Sequence, residues 1–171
     1  MLLIIFKFME LSTIDIVIRL VVAVLLGGLV GVERTLAGKT AGMRTYALVS
    51  MGSALFVLVS IIVSLQFINL TNFDPLRVAS QILVGIGFIG AGLVFHNNQN
   101  MRTSGLTSAA GLWVSGGIGM ACGFGLFSLA LIAAILTLMI FTVLWYVEKG
   151  FKKISYSDEP VEKENSVHLH E

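Results

Sequence analysis

Residues 77–92 read RVASQILVGIGFIGAG, and the fold of the chain turns on this stretch. Set on a helix at 100° per residue, Arg77, Ser80, Gln81, Gly85, Gly87, Phe88, Ala91 and Gly92 fall within about half the circumference. Val78, Ile82, Leu83, Ile86, Ile89 and Leu93 take the other half, with Ala79 and Gly90 among them. One face is polar or small and the other is greasy. In water the greasy face would be buried. In a bilayer the expectation reverses, with small residues turned inward so that helices can approach and branched ones turned to lipid.

Composition decides between the two solvents. The chain has 171 residues, 56% of them hydrophobic and 12% charged, against about 25% charged in an average soluble domain. No charged residue occurs between Arg44 and Asp74, between Arg77 and Arg102, or between Arg102 and Glu148. Each gap exceeds the roughly 20 apolar residues that cross a hydrocarbon core of about 30 Å. The sequence is therefore read as a polytopic membrane protein with one membrane domain. A net charge of +1 argues against nucleic-acid binding, which needs a clustered basic surface. Cys122 is the sole cysteine, so neither an intrachain disulfide nor a cysteine-built metal site is available.

Read in order, residues 1–13 form a short apolar, interfacial lead-in, and residues 14–147 form five transmembrane helices. The first span runs from about Ile14 to Gly31, where Asp15 and Arg19 are spaced to pair and Gly27-x-x-x-Gly31 invites a close neighbour. The second begins at Arg44 or Thr45. Asp74-Pro75 supplies an N-cap and a first-turn proline for the third. The fourth, from about Gly105 to Gly123, carries Ser108, Gly111, Ser115 and Gly119 on one small face, which makes it the expected neighbour of the third. The fifth ends at Trp145-Tyr146, an interfacial anchor before Glu148 and Lys149. Residues 148–171 are expected to be a disordered cytoplasmic tail. Placing the C-terminus inside puts Arg34, Lys39, Arg44, Arg102, Lys149, Lys152 and Lys153 in the cytoplasm, so the positive-inside rule favours N-out, C-in.

Gly85 to Gly90 match the dinucleotide fingerprint G-x-G-x-x-G, but they lie inside an apolar span with no acidic residue between Asp74 and Glu148 to hold a ribose. Close helix packing is the better reading, and the small residues assigned to it are Gly27, Gly31, Gly85, Gly87, Gly92, Gly111, Ser115 and Gly119. Arg77 and Gln81 either line a polar interior or, for Arg77, snorkel to the headgroups. Glu33, Arg34, Arg44 and Thr45 flank the first loop; a Glu33–Arg44 or Glu33–Arg34 surface pair would be worth under about 1 kcal/mol. The alternative is a fixed loop, tied by Arg44 and Thr45, that meets a partner or gates a path. Asp15, Glu33 and Asp74 cannot be gathered at mid-membrane into the oxygen cage that magnesium wants. No nucleophile–base pair or His-Glu-x-x-His is present, so no catalytic residue, metal ligand or cofactor is assigned, and the chain is not read as an enzyme.

With those residues in view, the chain resembles the MgtC/SapB family of bacterial membrane proteins. The matching pieces are GLVGVER (28–34), AGMRTYALVS (41–50), RVASQ (77–81) running into GIGFIGAG (85–92), GLTSAAGLW (105–113) and GIGMACG (117–123), in the family's order. Two departures stand out. Ser104 occupies the position before Gly-Leu-Thr where the family commonly has arginine, and the soluble C-terminal domain of many members has no counterpart here. The resemblance implies a multi-pass inner-membrane protein, here in a short form, linked to magnesium limitation and, in pathogens, virulence. It also implies a regulator of other integral membrane machines, the proton-driven ATP synthase among them, or one that self-associates. The leading expectation is thus a non-enzymatic modulator that docks in the bilayer through the small faces of spans one, three and four. The alternative is a magnesium-associated transporter or channel lined by Arg77, Gln81, Thr45 and Ser53.

Overall fold

The computed structural model describes residues 11–66, 74–96 and 105–155. Among them are five helices: α1 (Thr13–Leu36), α2 (Met43–Gln66), α3 (Pro75–His96), α4 (Leu106–Gly123) and α5 (Phe127–Ser155). Four of these contain runs long and apolar enough to cross a membrane, namely Thr13–Leu36, Met43–Leu65, Leu76–Val94 and Phe127–Gly150. α4 is not among the four, because its 18 residues are diluted with glycine and serine. Residues 1–10 of the lead-in expected over 1–13, Arg102 and Ser104, and the chain beyond Ser155 lie outside the described residues.

The chain divides into two units, Met1–Leu138 and Met139–Glu171. In the second, Trp145 meets Tyr146 edge to face with ring centroids 4.9 Å apart, and Lys149 Nζ stands 5.2 Å over the Trp145 ring. An aromatic pair carrying an ammonium suits a membrane–water boundary. The helix does not stop there. It continues through Ser155, so the first part of the segment expected to be disordered tail is helical. Residues 148–155 contain no proline to end the helix.

In the first unit, helix ends are closed by side chains. Ser12 and Asp15 form a capping box on α1, with Ser12 Oγ accepting from the Asp15 N–H at 3.2 Å and the Asp15 carboxylate accepting from the Ser12 N–H. Asp15 is thereby turned away from Arg19, and the expected Asp15–Arg19 pair does not form. Arg19 instead donates to the Gly123 carbonyl at 2.7 Å and so closes the last turn of α4. A helix C-terminus leaves carbonyls without partners, and a guanidinium in an apolar setting finds its best acceptor there. Asp74 caps α3 as expected, its carboxylate taking the Leu76 N–H at 2.9 Å ahead of Pro75.

α2 lies between α1 and α4, and its buried residues Tyr46, Ala54, Val57 and Leu58 meet Ala23 and Val30 of α1 and Leu112, Ile118 and Cys122 of α4 in one core. Lipid tails are as apolar as these side chains, so close packing and internal hydrogen bonds hold the helices together. Gly31 permits the approach of α1: a Cβ there would sit 2.7 Å from Met43 Cα.

The orientation of α3 reverses the expectation. Among the described residues of this helix, Ile86 and Gly90 are buried, and Val78, Ala79, Ile82, Leu83, Leu93 and Val94 are partly covered. Gly85, Gly87 and Gly92 are exposed, and a Cβ added to any of them would meet nothing within 4 Å. The branched face packs on the chain, Gln81 and Gly85 border a groove toward α2, and the rest of the small face, with Gly87, Ala91 and Gly92, is exposed. The reason lies in α4, whose Gly116 leaves a hollow that the Ile86 side chain fills, while Gly90 rests on Ala109.

Candidate functional site

The small face of α4 meets α2, not the small face of α3. Ser115 Oγ donates to the Tyr46 carbonyl at 2.9 Å, and the Tyr46 hydroxyl donates to the Ser108 carbonyl at 2.9 Å. Gly119 lies directly on the Ser50 carbonyl, with no room for a Cβ, and Gly111, two turns earlier on α4, is buried as well. From α1, Gly27 also meets Tyr46 and Ser50, a Cβ at that position falling 2.8 Å from the Tyr46 carbonyl. Tyr46 therefore joins α1, α2 and α4, yet it was not among the residues singled out by the sequence. Its signal was available: a lone tyrosine in an apolar span needs a partner for its hydroxyl. Tyr46→Phe is expected to cost about 1–2 kcal/mol, the range for losing a buried hydrogen bond, read as a lowered thermal midpoint of the purified protein in detergent.

Next to this junction lies the connection between α1 and α2. Glu33 and Arg34 form an ion pair through Arg34 Nε and Glu33 Oε2. The pair is not a surface one, since the Arg34 side chain is 5% exposed and that of Glu33 20%. Arg44 is exposed and Thr45 half-buried, and neither ties the loop. Thr35 does so, accepting the Met43 N–H at 2.9 Å and donating to the Gly31 carbonyl at 3.1 Å. Of the polar residues singled out, the fold thus brings Glu33 and Arg34 together at the end of α1. Arg77 and Gln81 stand apart on the exposed side of α3. Ser53 is buried, its hydroxyl bonded to the Val49 carbonyl at 2.8 Å. Arg77, Gln81, Thr45 and Ser53 do not converge on one polar path; only Ser53 and Gln81 share a groove, and its other walls are apolar.

Residues 20–149 match the model of the MgtC family. The chain belongs to the MgtC family. Protein MgtC of Salmonella typhimurium (strain LT2) is 45% identical over 122 residues, which cover 71% of this chain and 49% of that protein. Protein MgtC of Brucella abortus is 47% identical over 113 residues, covering 66% and 44% respectively. A third relative, from Escherichia coli K12 and named "Putative magnesium transporter YhiD", is 43% identical over 136 residues, covering 77% of this chain and 61% of that protein. The chain thus spans about half of the length of the curated relatives it matches. No solved structure is significantly similar to it. The MgtC-family region holds the Glu33–Arg34 pair, the Tyr46 junction and the whole of α3; the Ser12–Asp15 cap and Arg19 precede it.

Proposed function

We propose that this membrane protein is a non-enzymatic regulator that docks on another integral membrane complex, and that the docking surface is the outward face of α3. One observation carries the reading. Three helices hold small-residue faces, and those of α1 and α4 are consumed by contacts with α2, whereas Gly87 and Ala91 of α3, one turn apart, are exposed. A small-x-x-x-small pair facing lipid is the surface on which a second transmembrane helix approaches most closely. The family link to magnesium limitation and virulence supports a regulatory role, and ATP synthase is one candidate for the complex. Gly87→Leu is expected to abolish both co-purification of the partner and the low-magnesium growth phenotype. The fold should survive, because a Cβ at Gly87 meets nothing within 4 Å. Co-purification and growth at wild-type levels in that variant would remove the docking reading.

The same reading takes α4 as a fifth span with N-out, C-in topology. Seven basic residues then lie in the cytoplasm, as the positive-inside rule asks. The polar content of α4 is compatible with crossing because Ser108, Ser115 and Gly119 are buried against α2. Cysteine labelling of an introduced tail residue from the cytoplasmic side tests it. A transport role, suggested by the name of the Escherichia coli K12 relative, is favoured only by the groove that Ser53 and Gln81 share. Magnesium flux into liposomes carrying the folded chain would establish it; no flux would remove it.

A further inference from the structure

The groove between α2 and α3 has a volume of about 550 Å³ and opens toward the surroundings. That volume falls within the about 300–1,000 Å³ of small-ligand sites. Its α2 wall includes Gly52 and Phe56, and its α3 wall runs from Val78 to Ile89 with Gly85 midway. At 1.5 Å per residue the α3 wall is about 16 Å long, close to the about 15 Å of one leaflet's hydrocarbon. Its lining is apolar apart from Ser53 and Gln81, and its open side suits a hydrocarbon chain entering from the bilayer. At its N-terminal end on α3 stands Arg77, exposed, and entering hydrogen bonds among the described residues only through its backbone. The neighbouring Asp74 carboxylate is engaged with the Leu76 N–H.

We propose that this groove holds one acyl chain of an anionic phospholipid, whose phosphate pairs with Arg77. Gln81, one turn deeper on the groove wall, faces the glycerol ester region and gives its amide a polar partner there. The site does not depend on the docking surface, because Gly87 lies on the opposite flank of α3. The small residues Gly52 and Gly85 keep the groove open, as neither has a neighbour within 4 Å where a Cβ would stand.

The test is native mass spectrometry of the purified full chain, released from micelles with equal amounts of dioleoyl phosphatidylglycerol and dioleoyl phosphatidylcholine. The wild type is expected to retain one phosphatidylglycerol per chain in preference to phosphatidylcholine. Arg77→Gln is expected to lose about fivefold of that preference, the effect of one basic residue at an anionic surface. Gly85→Leu and Gly52→Leu, each filling the groove from a different wall, are both expected to lose the bound lipid, and Gly87→Leu to keep it. Equal retention of the two lipids by wild type and Arg77→Gln overturns the proposal. So does full retention in both filled variants, or a second polypeptide in place of lipid. Loss of partner docking in Gly87→Leu with lipid retained, or the reverse, separates this site from the docking surface.

Discussion

Gly119→Ala is expected to remove most of the monodisperse protein from a detergent extract and to lower the thermal midpoint of what remains. The added methyl would overlap the Ser50 carbonyl, a backbone atom of α2 that cannot swing aside as a side-chain end can. The helices must separate at the crossing, which weakens the adjacent Ser115–Tyr46 and Tyr46–Ser108 bonds at the same time. Overpacking of well-packed interiors costs about 1–3 kcal/mol, and the coupled loss of these bonds places this variant at or above about 3 kcal/mol. Gly117→Ala is the matched control. A Cβ there has nothing within 4 Å, so the helix-propensity gain of about 1 kcal/mol is opposed by no clash. Equal midpoints for the two variants would contradict the crossing. The contrast also bears on how docking can be tested: a bulky residue at Gly119 breaks the fold, whereas one at Gly87 reports on the outside.

Glu33→Ala is expected to cost about 3 kcal/mol, because it removes the carboxylate that pairs with the Arg34 guanidinium, whose side chain is 5% exposed. The figure stands at the low end of the range for broken buried pairs, since Glu33 itself is 20% exposed. Adding Arg34→Met to the same chain is expected to regain much of the loss, as an apolar side chain in place of a buried charge removes the desolvation penalty. Arg44→Ala, on the exposed start of α2, should change the midpoint by no more than about 0.5 kcal/mol. A Glu33→Ala midpoint as mild as that of Arg44→Ala would mean that the Glu33–Arg34 pair serves only to orient the chain in the membrane.

The number and order of helices were legible from the apolar runs between charged residues and from Asp74-Pro75; the Ser12–Asp15 box, which starts α1, was not read from the sequence. What each helix faces was harder to read. The rule that small residues turn inward holds for Gly27, Gly31, Ser115 and Gly119 and fails for Gly85, Gly87 and Gly92, although the local patterns look alike. The difference is made by the partner helix. α4 places hydroxyl and carbonyl groups opposite Tyr46 and a hollow opposite Ile86, and neither pairing is encoded within α3. Charge spacing misled in the same way. Asp15 and Arg19 are one turn apart, yet each finds a better use at a helix end, one by capping α1 and the other by closing α4.

The outward setting of the α3 face is the claim on which the proposed function stands, and photo-crosslinking in intact membranes tests it most directly. A photoreactive side chain is placed in turn at Gly87 and at Gly90, whose Cβ position lies 3.4 Å from Ala109 Cβ. Gly90 is expected to crosslink within the chain to α4. Gly87 is expected to give a discrete adduct with a second membrane polypeptide, the one that co-purifies with the wild type. An adduct from Gly87 to α4 of its own chain, or to lipid alone, would contradict the account.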